Sequence, residues 1–159
     1  MLRMTPLESS KRLLRKSFNT LNLLAMNELE RYYQDYWLSY NGETELQGLT
    51  PFGFNGNAPL NISSFDKTQL DWALDFAQAC GEPIRTINKN HTSYGLKHLA
   101  ERRTKKLSNN EVNYITNGAL ILAMVDAGFR FVRDGDSPNV FFNVSERTLK
   151  KIYKAWNNI

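Results

Sequence analysis

"TNGALILAMVDAGFRFVRDGDSPNVFFNV", residues 116–144, decides the fold. Its first half is apolar almost all round, with Asp126 as its one charge. A helix without a polar face belongs inside the protein. Thr116 or Asn117 can begin it, and Gly128 closes it. The period then changes. Phe129 to Arg133 alternates as a strand does, "DGDSPN" turns the chain, and Val140 to Val144 returns. A central buried helix followed by a hairpin over 129–144 is the expectation.

The flanking segments supply amphipathic helices. Downstream, Ser145 caps a last helix through Trp156, with Leu149, Ile152, Tyr153 and Trp156 on its apolar face. Arg147, Lys150, Lys151 and Lys154 form a basic stripe directly opposite. Upstream, Ser93 can cap a helix running to about Lys106, and "LSNNEVN" interrupts it. At about 100° per residue, Leu96, Leu99, Ala100 and Leu107 share one face. His98, Arg102, Lys105 and Lys106 group on the other side, with Tyr94 at its border. Lys97 can pair with Glu101 four residues on. Arg103 falls among the apolar positions and must snorkel or find a partner. The order helix, helix, hairpin resembles a winged helix-turn-helix. A recognition helix, however, needs polar side chains that reach base edges. "GALILAMVDA" has almost none, so the earlier helix with Arg130 and Arg133 would have to make any DNA contact.

Towards the N-terminus, Ser63 or Ser64 caps a helix whose apolar face is Leu70, Ala73, Leu74, Ala77 and Cys80; Gly81 ends it and Pro83 follows. Residues 41–62 are rich in Gly, Pro and Asn and read as a long loop, either functional or hiding a short strand pair, pinned to the body by Phe52 and Phe54. Residues 1–40 read as an N-terminal helical segment opened by Thr5, Pro6 and Glu8, a capping box. It carries a cationic cluster, Lys11, Arg12, Arg15 and Lys16, and the tyrosine-rich "YYQDYWLSY". The predicted fold is mainly α with one small antiparallel β-hairpin (α+β): a single compact domain over 1–159, with 63–159 holding helices and the hairpin.

At 159 residues, 42% hydrophobic and 23% charged, the chain is long enough for a real core and unlike a disordered one. The net charge of +4 is unevenly placed. Residues 1–62 are neutral, whereas 63–159 hold 14 Lys/Arg against 10 Asp/Glu, and 85–106 hold seven against Glu101 alone. Uncompensated basic faces attract polyanions. One cysteine excludes an intramolecular disulfide and suits a reducing cytoplasm. The N-terminus, "MLRMTPLESSKRLLRK", has no apolar run of signal-peptide length, and no stretch approaches the ~18 apolar residues of a membrane span.

Catalytic and metal patterns are sparse. A zinc site needs three or four ligands, and His91, His98 and the distant Cys80 have no such spacing. Asp134 and Asp136 are spaced like the start of a calcium loop but lack its later ligands. "FGFNGN" lacks a phosphate-loop lysine. His98 beside Tyr94 and Ser93 is the one general-base candidate. A non-enzyme without metal or cofactor is the expectation, and a small enzyme using His98 is the minority one.

"SYGLKHLAE", "YITNGALILAMVDAGF" and "SPNVFFNVSER" together resemble a pattern in short, uncharacterised proteins of phages, prophages and plasmids. The match covers residues 91–147 and rests on Tyr94, Lys97, His98, Asn117 and Gly118. The resemblance implies an accessory protein of a mobile element in the cytoplasm of a bacterial host. It brings no activity with it. The expected partner is nucleic acid or a host nucleoprotein complex, contacted through Tyr94, Lys97, His98, Arg102, Lys105, Lys106, Arg147, Lys150, Lys151 and Lys154. The alternatives are an acidic protein surface met by the same cations, and a protein–protein inhibitor of host defence, of anti-CRISPR or anti-restriction type, acting through the tyrosine-rich patch or the 41–62 loop.

Overall fold

The computed structural model describes residues 46–156, part of one compact unit, Leu46–Ile159. The N-terminal helical segment, its cationic cluster and the tyrosine-rich patch lie outside the described residues. The unit is α+β and mainly helical, as predicted. In chain order it holds β1 (Leu49–Thr50), β2 (Gly53–Phe54), a 3-10 turn (Ile62–Ser64), α1 (Lys67–Ala79), β3 (Asn88–Thr92), α2 (Ser93–Leu107), α3 (Asn117–Asp126), β4 (Phe131–Arg133), β5 (Val140–Phe142) and α4 (Glu146–Trp156).

The apolar helix α3 is buried from Asn117 to Met124 and packs against α1 and α2. Thr116 caps it by accepting the Ala119 N–H at 3.2 Å. The helix's own Leu120, Ile121 and Met124, with Phe76, Leu96, Leu99, Phe142 and Leu149 from other elements, are sealed from solvent. Each such side chain stabilises the fold by about 1.5–3 kcal/mol relative to exposure. On α1 the predicted apolar face holds at Ala73, Ala77 and Cys80, while Leu70 and Leu74 are half-buried.

The predicted hairpin is present. Phe131 pairs with Phe142 and Arg133 with Val140 across β4 and β5. It belongs to a larger sheet of order β3-β5-β4, in which β3 pairs antiparallel with β5 and its register slips between Asn88 and Thr92. The five residues of β3, Asn-Lys-Asn-His-Thr, have no apolar alternation, so the sequence offers no strand signal. Its place is set by polar bonds instead. Val140 N–H donates to Ser93 Oγ (3.1 Å), and Asn88 Nδ2 donates to Val144 O (3.2 Å).

Two caps differ from expectation. Asp66, not Ser63 or Ser64, caps α1 by accepting the Gln69 N–H at 2.9 Å. The two serines form the 3-10 turn, capped by Asn61. Thr92, not Ser93, caps α2 through the Gly95 N–H; Ser93 is helical and buried, its hydroxyl used by β5. Leu107, placed on the apolar face of α2, is exposed because the helix ends there.

The 41–62 loop does hide a strand pair. β1 and β2 form a tight antiparallel hairpin, with Thr50 Oγ1 donating to Gly53 O (2.7 Å) across its turn. Phe54 is buried as predicted, but Phe52 stands at the turn, 72% exposed. The turn sits on the start of α3, where the Gly118 N–H donates to Pro51 O at 2.8 Å. A Cβ on Gly118 would lie 1.8 Å from Thr50 O, so only glycine permits the approach. Gly53, with φ +111°, is equally confined, its missing Cβ replaced by Pro138 O and Asn117 Nδ2. The Asn117–Gly118 pair, which opens α3 as the sequence suggests, is therefore also a docking joint for the hairpin.

Candidate nucleic-acid interface on two basic helices

α4 carries its cations as the 3.6-residue period predicts. Leu149 and Ile152 are buried, Tyr153 and Trp156 half-buried, and Arg147, Lys150, Lys151 and Lys154 exposed. Ser145 supplies the cap, accepting the Thr148 N–H at 3.3 Å. The acid of the helix, Glu146, is engaged elsewhere. Its carboxylate accepts from Asn88 Nδ2 (2.8 Å) and lies 2.8 Å from His91 Nε2. The Asn88 bond first, and the His91 bond next, hold the Glu146 carboxyl below its ordinary range. Among the described residues no carboxylate forms an ion pair with any of the four stripe cations.

α2 is different. Lys97, predicted to face a partner, is 5% exposed. Its Nζ lies 2.8 Å from Glu101 Oε1 and above the rings of Tyr94 (5.5 Å) and Tyr114 (4.7 Å). It is a structural cation and leaves the candidate surface. Glu101 also takes His98 Nδ1 at 3.0 Å and accepts the Ile115 N–H at 3.3 Å. His98 and Tyr94 are about half exposed, their rings edge-to-face at 4.6 Å. The chemistry this cluster lends is proton exchange at a carboxylate-oriented imidazole. Tyr114, the residue directly after the segment "LSNNEVN", completes the lysine's seat; no local spacing could have placed it there.

Arg102, Lys105 and Lys106 remain exposed. Arg103 finds the partner it needed: it bonds Asp75 of α1, and its guanidinium lies 5.9 Å from the Trp156 ring centre. Lys106 Nζ lies over the same ring at 5.5 Å. Arg102 is close enough to Tyr153 to favour its phenolate, although burial wins and pushes that hydroxyl upward. The two helices pack together, so the exposed cations of α2 and those of α4 belong to neighbouring elements.

The other sequence candidates resolve as follows. His91 lies in β3, tilted against the Tyr153 ring at 5.7 Å, and is bound to Glu146; His98 is bound to Glu101. The two histidines do not meet, and no group of three or more His, Cys, Asp or Glu among the described residues is placed to hold a metal ion. Asp134 belongs to a turn, accepting the Ser137 N–H. Arg130 Nη2 donates to Arg85 O (2.7 Å), and Arg133 lies 4.1 Å from the Phe54 ring centre, so both hairpin arginines are engaged within the fold. Cys80 is fully buried, and desolvation pushes its thiol up to about 12. Thiol reagents should leave the folded protein unlabelled and modify it only on unfolding, which mass spectrometry would read.

The chain matches no family model, no curated protein and no solved structure. No helix among the described residues is long and apolar enough to cross a membrane.

Proposed function

We propose that the protein binds nucleic acid, free or within a host nucleoprotein complex, through the exposed cations of α4 assisted by those of α2. It would act without catalysis, as an accessory protein of a phage or other mobile element in the cytoplasm of its bacterial host. One observation carries this reading: Arg147, Lys150, Lys151 and Lys154 all face solvent while Glu146, the acid on their helix, is held by Asn88 and His91. Such an unbalanced row releases counterions from a polyanion on contact. The working surface is Arg102, Lys105, Lys106 and the α4 stripe, bordered by Tyr94 and His98.

Fluorescence anisotropy with labelled DNA and RNA at low salt tests it. Binding should weaken steeply as salt rises, and a Lys150→Glu, Lys154→Glu double variant should abolish it. Absence of binding to either polymer at low salt would refute the reading.

A protein–protein inhibitor of host defence is the second reading, favoured by Phe52, whose ring stands 72% exposed at the β1–β2 turn. An isolated exposed ring of that size suits a protein pocket. A partner that survives nuclease treatment, and is lost on Phe52→Ala but not on Lys150→Glu, would favour it.

A further inference from the structure

We infer that Asn55–Gly56 is a site of self-modification. In the folded protein the Asn55 side chain cyclises onto the Gly56 backbone nitrogen and becomes aspartate or isoaspartate, while the identical pair Asn117–Gly118 is spared. The site belongs to the β1–β2 hairpin and is independent of polyanion binding.

The reaction needs an asparagine whose side-chain carbon can be reached by the next backbone nitrogen. The Gly56 nitrogen gives up its proton and attacks Asn55 Cγ. A bond forms between them, Nδ2 leaves as ammonia with that proton, and a succinimide ring closes. Water then opens the ring. Cleavage at Cγ leaves aspartate. Cleavage at the backbone carbonyl leaves isoaspartate, whose main chain runs through Cγ. Either product replaces an amide with a carboxylate, a covalent change of the kind that makes asparagine thermolabile.

Asn55 meets the conditions. It follows β2 directly, and both it and Gly56 are exposed. Among the described residues the Asn55 side chain has no hydrogen-bond partner and the Gly56 N–H has no acceptor. Nothing lies within 4 Å of the place a Cβ on Gly56 would take, so no neighbour obstructs the attack from that side. Asn117 fails each condition. It is 5% exposed, and its Nδ2 donates to Asn139 Oδ1 at 2.9 Å and Pro138 O at 3.4 Å. The Gly118 N–H is committed to Pro51 O at 2.8 Å. Both residues lie in the first turn of α3, so ring closure there requires the helix start to open and the hairpin to lift away.

The two products differ in what they do to the hairpin. The Asn55 N–H donates to Gly48 O and the Gly48 N–H donates to Ala58 O, both at 2.8 Å. Between these ties the Gly56 carbonyl lies so near Gly48 that a Cβ there would be 2.2 Å from Gly56 O. Aspartate leaves the main chain as it is. Isoaspartate lengthens it by a carbon inside this tightly closed loop and displaces the Gly56 carbonyl, which loosens the hold of residues 55–58 on Gly48.

The full chain should be aged at mildly alkaline pH, folded in buffer and unfolded in guanidinium chloride, then digested with trypsin for mass spectrometry. Conversion adds about 1 Da. Fragment ions separate Asn55 from Asn41, which shares its tryptic peptide, and electron-transfer fragments separate isoaspartate from aspartate. In the folded protein Asn55 should convert at least about tenfold faster than Asn117, and in denaturant the two rates should come within about threefold. Asn55→Gln should remove the fast conversion. In the isoaspartyl protein the Gly48 amide should lose hydrogen-exchange protection, and in the aspartyl protein it should keep it. A folded Asn55 that stays intact, a folded Asn117 that converts as fast, or the same gap persisting in denaturant overturns the inference. An isoaspartyl protein with an unchanged Gly48 amide overturns the loosening.

Discussion

α2 and α4 are near twins in sequence: each has an apolar face, and each has a run of cations opposite. In the folded protein they part company. α2 spends part of its charge internally, with Lys97 sealed between Tyr94, Tyr114 and Glu101 and Arg103 tied to Asp75, and leaves Arg102, Lys105 and Lys106 exposed. α4 presents all four of its stripe cations to solvent. The difference lies in the acids. Glu101 sits on the flank of α2 where Lys97 and His98 can both reach it, whereas Glu146 points back to β3. A count of lysines and arginines is therefore not a measure of surface charge; the positions of the few carboxylates decide it.

The contrast can be broken by substitution. The largest effect should come from Lys97→Ala. It strips a buried carboxylate of its partner, and breaking a buried pair typically costs about 3–5 kcal/mol. Glu101 keeps its bonds to His98 and the Ile115 N–H, so a loss near the lower end is expected, read from urea unfolding. If the protein lost no stability, Lys97 would be an available surface cation after all.

Next in size is Arg103→Ala, which removes the bond to Asp75 and the cover over Trp156, with an expected loss of about 1–2 kcal/mol by the same measurement. Glu146→Gln should do less, under ~1 kcal/mol at neutral pH, because the carboxylate is partly exposed. Its signature is the pH dependence. The folded state holds Glu146 below its ordinary range, so the carboxylate's contribution is complete above the unfolded-state value and vanishes as pH falls through the lowered folded value. Melting temperatures of the two proteins should converge in acid; a constant gap would contradict the assignment. Smallest of all, Lys150→Ala should alter stability by less than ~0.5 kcal/mol while still weakening polyanion binding. Equal stability losses at Lys97 and Lys150 would erase the distinction between the helices.

Much of the architecture was legible in the sequence. Periodicity located α3, α4 and the β4–β5 hairpin because each expresses one clear pattern: apolar all round, amphipathic, or alternating. β3 was not legible, since a polar strand is placed by hydrogen bonds to distant segments, here from its own Asn88 to Val144 O and from Val140 to the adjoining Ser93, rather than by its own hydrophobicity. The caps slipped by one to three residues because Thr92 and Asp66 compete locally with Ser93, Ser63 and Ser64, and tertiary demands on Ser93 settle the contest. The α4 half of the candidate surface followed from helical spacing alone. The α2 half did not, because the seat of Lys97 depends on Tyr114, which reaches it from outside the helix.

The joint between Pro51 and Gly118 also bears on how the molecule assembles. It unites a two-residue strand pair with a helix that lies far along the chain, across the whole of α1 and α2. Contacts of such long sequence separation must overcome the entropy of closing a large loop. The β1–β2 hairpin, too short to persist alone, should therefore dock only once α1, α2 and α3 have come together. In a pulse-labelling hydrogen-exchange experiment, the Gly118 amide should gain protection later than the amides in the middle of α3, making it a timer for the last step of folding.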